Sequence, residues 1–293
     1  MRKVLAKRVL AIALLLCILC LVFGSCSEKS SFSITFINVG QGDAALVECD
    51  GHYMLIDGGD VSAGDKVKET LEKNGVKKLD ILVISHLHED HYGGIAEGLE
   101  ALQVEKIDIT ISNSIHTDQK SFVALVKELE RHETEITIPT EKDTYDLGSA
   151  SIEVVDVKNE DNNDSLVLLI TYKNARFLFT GDIEKSGQER VAKYLENHEK
   201  HKDGKNWISL IKMPHHGAYN DDAKPAESTL NDLLNQYAPK YFVISVGDGY
   251  GHPHEDTLQL IKNKKGLYRT DIHGDITVRY KRGKLIFETT KKK

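Results

Sequence analysis

The sequence predicts an α/β fold in which two sheets pack face to face and helices cover their outer sides. Short runs rich in β-branched and aromatic residues recur along the chain in two groups, with segments of helical periodicity interspersed. Two such sheets bury their apolar faces against each other and against the helices. A composition of 40% hydrophobic and 28% charged residues over 293 positions excludes a disordered chain and a small disulfide-stapled scaffold.

The strand-like runs are apolar, mostly alternating and often bounded by hairpin-type turns such as Asp50-Gly51 and Arg282-Gly283. We expect strands at residues 32–39, 44–49, 53–56, 81–85, 107–111, 136–138, 152–157, 166–172, 175–180, 208–212, 241–246, 275–280 and 284–288. We expect helices at residues 66–73, 121–132, 188–198, 226–236 and 255–262.

The N-terminus has the pattern of a secretory signal. Two basic pairs, Arg2-Lys3 and Lys7-Arg8, precede an apolar run over residues 9–23. At 1.5 Å per residue this run is shorter than a hydrocarbon core of roughly 30 Å, which favours a cleaved signal. The sequence therefore predicts a signal at residues 1–25, a tether at 26–31 and one domain at 32–290. The alternative is an uncleaved membrane anchor, and both interpretations place the domain outside the cytoplasmic membrane.

The end of this leader, Gly24-Ser25-Cys26, resembles a bacterial lipobox, although Phe23 stands where that motif usually has Leu. This resemblance implies acylation of Cys26 and a protein that is anchored to the membrane, or secreted if the anchor is absent. Beyond Cys26 the chain has a single cysteine, Cys49, so an intradomain disulfide is excluded. We expect Cys49 to be a small buried hydrophobe.

The chain is acidic, with a formal charge of −7. Removal of the leader, which carries four basic and no acidic residues, leaves 34 basic against 45 acidic residues, a charge of −11. Such a protein is a poor general ligand for a phosphate backbone. Basic residues near one predicted loop offer a local exception: Lys262, Lys264, Lys265 and Arg269.

The segment after the buried strand at 81–84 has the donor types of a metal site. His86, His88, Asp90 and His91 fall within six residues at a strand end, where imidazole and carboxylate groups suit Zn²⁺ or Mn²⁺. His86 and His88 alternate and therefore can point together, while Asp90 and His91 open toward a second metal once the chain turns. A chance surface cluster is the alternative interpretation.

These residues match the HxHxDH signature of the metallo-β-lactamase superfamily. Further segments resemble the hydrolase domain of ComEC-type DNA-uptake proteins, namely residues 38–44, 55–59, 163–167, 180–182, 212–217, 244–247, 251–254 and 268–271. The match runs from about residue 32 to residue 280, and secreted phosphorylcholine esterases resemble the chain more distantly. The resemblance implies a metallo-β-lactamase-like αββα sandwich of two mixed sheets with outer helices and a two-metal site at the sheet edges.

The resemblance also implies a ligand set for two divalent ions, with Zn²⁺ favoured over Mn²⁺. The implied ligands are His86, His88, Asp90, His91, Asp182 and His216. Asp182 would bridge both ions, the alternative being a helix N-cap. Of the adjacent histidines, His216 is the expected ligand and His215 the second choice, since neighbouring residues do not easily serve one metal together.

Two segments qualify this ligand set. Where the superfamily usually has a further histidine, the chain reads Asn162-Asn163-Asp164-Ser165, as ComEC-type domains do, so the first metal is one ligand short. That metal would bind weakly, or water or substrate would complete its coordination. His252 and His254 lie in a Gly-rich loop that could reach over the site, the alternative being a rigid surface loop. Asp57 is expected to shape the metal loop.

Two adjacent cations can bind a hydroxide between them and neutralise the charge that develops in hydrolysis. The expected activity is that of an extracytoplasmic metal-dependent hydrolase, a phosphodiesterase or nuclease, with Asp90, His215 and His254 as catalytic residues. Its expected partners are a phosphodiester substrate such as DNA and, through the lipid anchor, the membrane; no protein partner is identifiable. The alternatives are a cell-wall phosphorylcholine-type esterase and a non-catalytic surface-anchored accessory of DNA uptake.

Overall fold

A computed structural model describes residues 31–102, 106–115, 117, 119–159, 164–198, 207–262 and 266–291. Ser31–Lys293 forms one compact unit. The predicted signal, Cys26, Asn162, Asn163 and the lysines at 264 and 265 lie outside the described residues.

The first sheet has eight strands in the order β15-β14-β1-β2-β3-β4-β5-β6. These strands are β1 (Phe32–Phe36), β2 (Ala45–Cys49), β3 (His52–Ile56), β4 (Lys78–Ile84), β5 (Lys106–Ser112), β6 (Ile136–Thr137), β14 (Ile276–Lys281) and β15 (Lys284–Thr289). The strands from β3 to β6 run parallel and the others antiparallel, so the sheet is mixed.

The second sheet has seven strands in the order β13-β12-β11-β10-β9-β8-β7. Its strands are β7 (Thr144–Leu147), β8 (Ala150–Asp156), β9 (Val167–Tyr172), β10 (Ala175–Phe179), β11 (Leu210–Lys212), β12 (Tyr241–Ile244) and β13 (Leu267–Arg269). The strands from β10 to β13 are parallel, and their carboxyl ends therefore meet at one edge.

The described α-helices lie between these strands. They are α1 (Gly64–Lys73), α2 (Glu89–Tyr92), α3 (Ile95–Leu102), α4 (Ser121–Arg131), α5 (Lys185–Glu196), α6 (Thr229–Tyr237), α7 (Glu255–Ile261) and α8 (Thr270–His273). Among the described residues, no helix is both long and apolar enough to cross a membrane.

Three apolar layers hold the sheets and helices together. The central layer lies between the sheets, where Phe32 of β1 stacks on Tyr172 of β9 with ring centroids 4.7 Å apart. One outer layer joins the first sheet to α1, α3 and α4, and the other joins the second sheet to α5, α6 and α7. This helix–sheet–sheet–helix order confirms the predicted αββα sandwich of two mixed sheets with outer helices.

Every predicted strand and helix has a counterpart, with ends shifted by a few residues. Among the strands and α-helices of the described residues, five were not predicted: β7, β13, α2, α3 and α8. Helix α3 contains Gly98, which weakens its helical signal. A Cβ at that position would lie 2.8 Å from Cγ1 of Val67 in α1, so glycine allows the two helices to pack closely. The final hairpin, β14–β15, returns to the first sheet beside β1.

Candidate metal centre

Loops from both sheets converge at one edge of the sandwich. His86 and His91 follow β4 of the first sheet, while Asp182 follows β10 and His216 follows β11 of the second sheet. All four side chains are at most 3% exposed. The sequence signature therefore supplies one half of a buried polar cluster and later segments supply the other half.

His91 is held by carboxylates at both ring nitrogens. Its Nδ1 lies 2.9 Å from Oδ2 of Asp57 and its Nε2 lies 3.2 Å from Oδ2 of Asp182. Asp57 also accepts hydrogen bonds from the backbone N–H and the hydroxyl of Ser85, each at 2.7 Å. Asp57 thus orients His91 and the loop after β4, the shaping role that the sequence predicted.

His216 is oriented in a similar way from the opposite sheet. Its Nδ1–H donates to the backbone carbonyl of Ser245 at 3.0 Å. Its Nε2 lies 3.3 Å from Oδ2 of Asp90 and 3.3 Å from Oδ2 of Asp182. At metal sites, a histidine ligand commonly donates through one ring nitrogen to a carboxylate or carbonyl. This hydrogen bond fixes the other ring nitrogen toward the metal.

His86 and His88 lie beside this cluster. Nε2 of His86 is 4.0 Å from Oδ2 of Asp182, and its ring centroid is 4.4 Å from that of His88. His88 is only partly buried and belongs to none of the close ligand groups found among the described residues. The structure thus brings together five of the six expected ligands and leaves His88 at the rim.

Four overlapping groups of described residues have the donor composition of metal sites, with ligand atoms within 4.8 Å of one another. His86, His91 and Asp182 form one, and Asp90, His91 and His216 form another. The remaining two include Asp43, which joins either Asp57 and His91 or Asp182 and His216. Within the described part of the chain, Nε2 of His86, Nε2 of His216 and Oδ1 of Asp182 are buried without a hydrogen-bond partner. Buried polar atoms seldom stay unpaired, so these residues fit divalent cations well.

A family comparison identifies the origin of this arrangement. Residues 37–248 match the family model described as the metallo-beta-lactamase superfamily. The chain belongs to this superfamily. The matched region contains every ligand-type residue described above, and the superfamily match supports a metal-dependent hydrolase with a centre for two ions.

Two known proteins resemble this superfamily member over most of its length. ComE operon protein 3 of Bacillus subtilis (strain 168) is 28% identical over 284 residues, which cover 86% of this chain and 34% of that protein. Competence protein ComA of Neisseria gonorrhoeae is 29% identical over 267 residues, covering 87% and 33%. The chain therefore spans about a third of the length of these curated relatives.

Among solved structures, the metallo-beta-lactamase fold protein YhfI from Bacillus subtilis superposes with a TM-score of 0.54. It shares 13% sequence identity, and the match covers 86% of this chain and 100% of that one. At this level of identity the likeness shows the fold alone.

Ser165 is a described residue of the segment in which the superfamily usually has its additional histidine. Its hydroxyl accepts a hydrogen bond from the backbone N–H of Asp182 at 2.9 Å and lies 3.3 Å from Nδ1 of His86. Ser165 therefore positions two of the candidate ligands. Gly181, in the left-handed region at φ +51°, permits this contact, since a Cβ there would lie 2.5 Å from the Ser165 hydroxyl oxygen.

The adjacent histidines lie in a strained turn. His215 and His216 have φ of +46° and +52°, and Gly217 follows at +80°. Two non-glycine residues with positive φ in succession are costly and are typical of functional sites. The turn directs His216 into the cluster and leaves Nε2 of His215 3.8 Å from Oδ2 of Asp182. Nδ1 of His215 lies 3.0 Å from Oε1 of Glu184, which the sequence analysis had not singled out.

The loop with His252 and His254 reaches the same edge. The His252 ring centroid lies 5.8 Å from that of His215 and 6.5 Å from that of His216. His254 lies behind His252, where its Nδ1 accepts the backbone N–H of Tyr219 at 2.9 Å. Of the two histidines, His252 is therefore placed toward the cluster, whereas His254 holds the loop.

Lys212 lies at the candidate site. It belongs to the motif segment 212–217, but the sequence alone assigned it no role. It ends the buried strand β11 and is 2% exposed. Its ammonium contacts Oδ2 of Asp43, donates to the Gly181 carbonyl at 3.2 Å and lies 3.8 Å from Oδ1 of Asp182. The available signal was a lysine closing an otherwise apolar strand immediately before the His215-His216 pair.

The cluster shifts the pKa values of its members in opposite directions. Burial lowers the pKa of His216, but Asp182 and Asp90 outweigh it and raise the value to about 9. Asp182 and Asp57 likewise raise the pKa of His91 against the effect of burial. For Asp182 itself, burial raises the pKa, but His216 and His91 hold it well below its ordinary value. In the metal-free protein, protons on these histidines therefore balance the carboxylates that cations would otherwise neutralise.

Proposed function

We propose that this superfamily member is a metal-dependent phosphodiester hydrolase, with nucleic acid as its substrate. One observation carries the proposal: Oδ2 of Asp182 lies within 3.2 to 4.0 Å of nitrogens from four histidines on two sheets. A single carboxylate oxygen in that position is suited to bridge two cations. Those ions would supply Lewis acidity and a water of lowered pKa for attack on phosphorus.

The chain's own residues have separable roles in this proposal. Asp57 and the Ser245 carbonyl hold Nδ1 of His91 and His216, so that both Nε2 atoms face inward. Asp90, whose side chain is 32% exposed, lies on the open side of the cluster, where substrate would enter. Burial raises the pKa of Asp90, but the nearby His216 and His91 outweigh it and lower the value, so that Asp90 stays ionised.

The substrate class is inferred from the relatives. The two curated proteins reported above are named ComE operon protein 3 and competence protein ComA, and the motifs of the chain resemble those of DNA-uptake proteins. The motifs that the chain shares with DNA-uptake proteins favour a phosphodiester over the β-lactam that the superfamily name alone would suggest.

The direct test is hydrolysis by the chain from Ser27 onward, loaded with Zn²⁺ or Mn²⁺. The substrates are single-stranded DNA, duplex DNA, RNA, bis-p-nitrophenyl phosphate and a phosphorylcholine ester. We expect chelator-sensitive cleavage of the nucleic acids and of the nitrophenyl diester. Asp182→Asn should abolish this cleavage, while His52→Gln, at an exposed histidine paired with Asp80 away from the site, should retain it.

Other outcomes of the same assay would replace the proposal. Cleavage of the phosphorylcholine ester alone would assign a cell-wall esterase. No cleavage of any substrate by fully metal-loaded protein would favour a non-catalytic accessory, an outcome consistent with His88 lying at the rim and Ser165 being present in the segment of the missing histidine.

Within this function we propose that His252 contacts the leaving oxygen and that His254 positions its loop. His252→Ala should leave metal content unchanged and lower turnover of DNA by roughly 10²-fold, the low end of what a positioned proton donor contributes. Bis-p-nitrophenyl phosphate, whose leaving group needs little protonation, should lose much less. His254→Ala should lower stability as well as turnover, because Tyr219 loses its acceptor. A larger, substrate-selective loss in the His254 variant would return the leaving-group role to His254.

We propose an extracytoplasmic location with Cys26 as the lipid anchor. Cys26→Ala should leave the leader unprocessed or release the protein from the membrane fraction, because the acylated cysteine would be the attachment point. Membrane fractionation and mass spectrometry of the mature N-terminus provide the measurements. Unchanged processing and membrane attachment of the variant would contradict a lipoprotein.

A further inference from the structure

A second layer of charge lies behind the candidate ligands. Asp43 faces the rear of both ligand histidines, with Oδ1 3.6 Å from Nδ1 of His216 and Oδ2 3.9 Å from Nδ1 of His91. Those Nδ1 atoms already bond to the Ser245 carbonyl and to Asp57. Asp43 is therefore a carboxylate of the centre that does not face the space between the Nε2 atoms.

Lys212 connects this rear carboxylate to the bridging one. Its ammonium contacts Oδ2 of Asp43 and lies 3.8 Å from Oδ1 of Asp182, the oxygen that points away from the histidine nitrogens. Within the described residues, Oδ1 of Asp43 and Oδ1 of Asp182 have no hydrogen-bond partner. Beside the two histidines, the ammonium is thus a permanently charged cation that the structure places next to both carboxylates.

Solvent has little access to this layer. Asp43, Asp182 and Lys212 are 6%, 2% and 2% exposed, respectively. The adjoining cavity between the sheets has a volume of about 20 Å³, room for roughly one water. Because bulk water cannot screen these carboxylates, a protein cation or a bound metal must balance them.

The ion pair also joins the two halves of the site. Asp43 lies on the loop between β1 and β2 of the first sheet, and Lys212 ends β11 of the second sheet. Asp43 is further tied to the metal loop, since its backbone N–H donates to the Asp90 carbonyl at 3.1 Å. Lys212 therefore contacts the ligand loops of both sheets from behind.

We propose that Lys212 is a positioning residue of the metal centre, an internal cation that holds Asp43 and Asp182 together so that the ligands of both sheets remain assembled before a metal binds. This inference rests on the proposed metal centre and names the residue that keeps it in place. Since Zn²⁺ also neutralises the carboxylates, the protein should depend on Lys212 most when it is metal-free.

The test compares thermal unfolding midpoints of the full chain with chelator and with saturating Zn²⁺. Lys212→Met should lower the midpoint of the chelated protein by about 10 °C, the shift expected when one partner of a buried ion pair is removed. With Zn²⁺ the loss should be less than half as large. The double variant Asp43→Asn/Lys212→Met, which removes the charges as a pair, should recover at least half of the loss in chelator.

Lys78→Met is the matched control. Lys78 ends in a partly exposed ion pair with Asp80 and Asp108 on the first sheet, so its removal should shift the midpoint by no more than about 2 °C in either state. Equal losses for Lys212→Met with and without Zn²⁺ would overturn the proposal, because a residue needed only for packing would act in that way.

The paired variant keeps the test decisive if Lys212→Met does not fold. Folding of the double variant then supports charge balance, whereas failure of the double variant overturns it. A wild-type protein whose midpoint does not respond to Zn²⁺ would refute the proposed metal centre. The comparison of the single and double variants in chelator would still test the role of Lys212.

Discussion

Two histidines extend into the candidate centre from different sheets, and a hydrogen bond at Nδ1 orients each of them. His91 and His216 each donate through Nδ1 to a buried acceptor and direct Nε2 toward Asp182. The tautomer is thereby set by groups behind the ligands. Oδ2 of Asp182 lies within 4.0 Å of nitrogens from four histidines, so its loss should affect both ions.

Asp182→Ala should therefore lose more bound metal than His88→Ala. Asp182 is placed between both ligand groups, whereas the partly buried His88 lies at the rim and can serve one ion at most. Elemental analysis of protein dialysed against limiting Zn²⁺ gives the ratio, and His52→Gln serves as a control for histidine loss. Wild-type metal content in the Asp182 variant would contradict a bridging role.

The raised pKa of His216 predicts a pH dependence of stability in the metal-free protein. A folded-state pKa of about 9 against an unfolded value of 6.5 means that the stabilisation is fully present below pH 6.5. It is lost as the pH rises through about 9, and its size is up to roughly 3 kcal/mol. Urea unfolding of chelated protein between pH 6.5 and 9.5 measures this loss. His216→Gln should show a shallower decline, and parallel curves for the two proteins would count against the assignment.

The sequence identified the ligands better than the groups that hold them. The HxHxDH signature marks His86 and His91 because it is local. Lys212 and Glu184 instead act through contacts with residues 30 to 169 positions away, which periodicity cannot show. The same limit applies to His252 and His254. The sequence predicted that their loop could reach the site, but only the fold shows that His252 is the one that faces the cluster.

At the scale of elements, the centre depends on the close approach of two loops. The loop between β1 and β2 passes directly over the metal loop, and Gly42, at φ +123°, makes this possible. A Cβ at Gly42 would lie 2.2 Å from the backbone oxygen of Asp90. The strands themselves were predictable from alternation of apolar residues. Strand β7 (Thr144–Leu147) lies at the sheet edge and was missed because four residues, TYDL, hold too few apolar positions for alternation to be recognised.

Gly42→Ala should consequently lower the free energy of unfolding by more than the backbone strain of a left-handed residue alone would. Gly51, in the hairpin turn between β2 and β3, is also at positive φ, but nothing lies within 4 Å of its would-be Cβ. Gly51→Ala should lower the free energy of unfolding by about 1 kcal/mol, and Gly42→Ala by more than about 2 kcal/mol. The Gly42 variant alone should also bind Zn²⁺ more weakly. Denaturant unfolding and metal titration provide the two measurements, and similar losses for both variants would show that the loop contact is unimportant.

For the whole molecule, net charge would govern how the polyanionic substrate proposed above approaches. The formal charge is −7, and the segment proposed to be removed is basic. The basic strip considered from the sequence is weakened, because the Arg269 guanidinium donates to both carboxylate oxygens of Asp271. Attraction of a phosphate backbone would therefore come mainly from cations held at the centre, against repulsion from the rest of the surface.

Raising the salt concentration should therefore increase kcat/KM of this protein for DNA, whereas it lowers kcat/KM of a nuclease with a cationic surface. Raising NaCl from about 20 to about 200 mM, at constant divalent metal, screens the repulsion between the acidic surface and DNA. We expect kcat/KM for single-stranded DNA to rise several-fold over this range, while the value for bis-p-nitrophenyl phosphate, with a single charge, changes little. A steep fall of kcat/KM for DNA with salt would instead reveal phosphate contacts by a basic surface, since counterion release weakens such binding as salt increases. The small diester separates this effect from any direct influence of salt on the metal centre, because both substrates would use the same ligands.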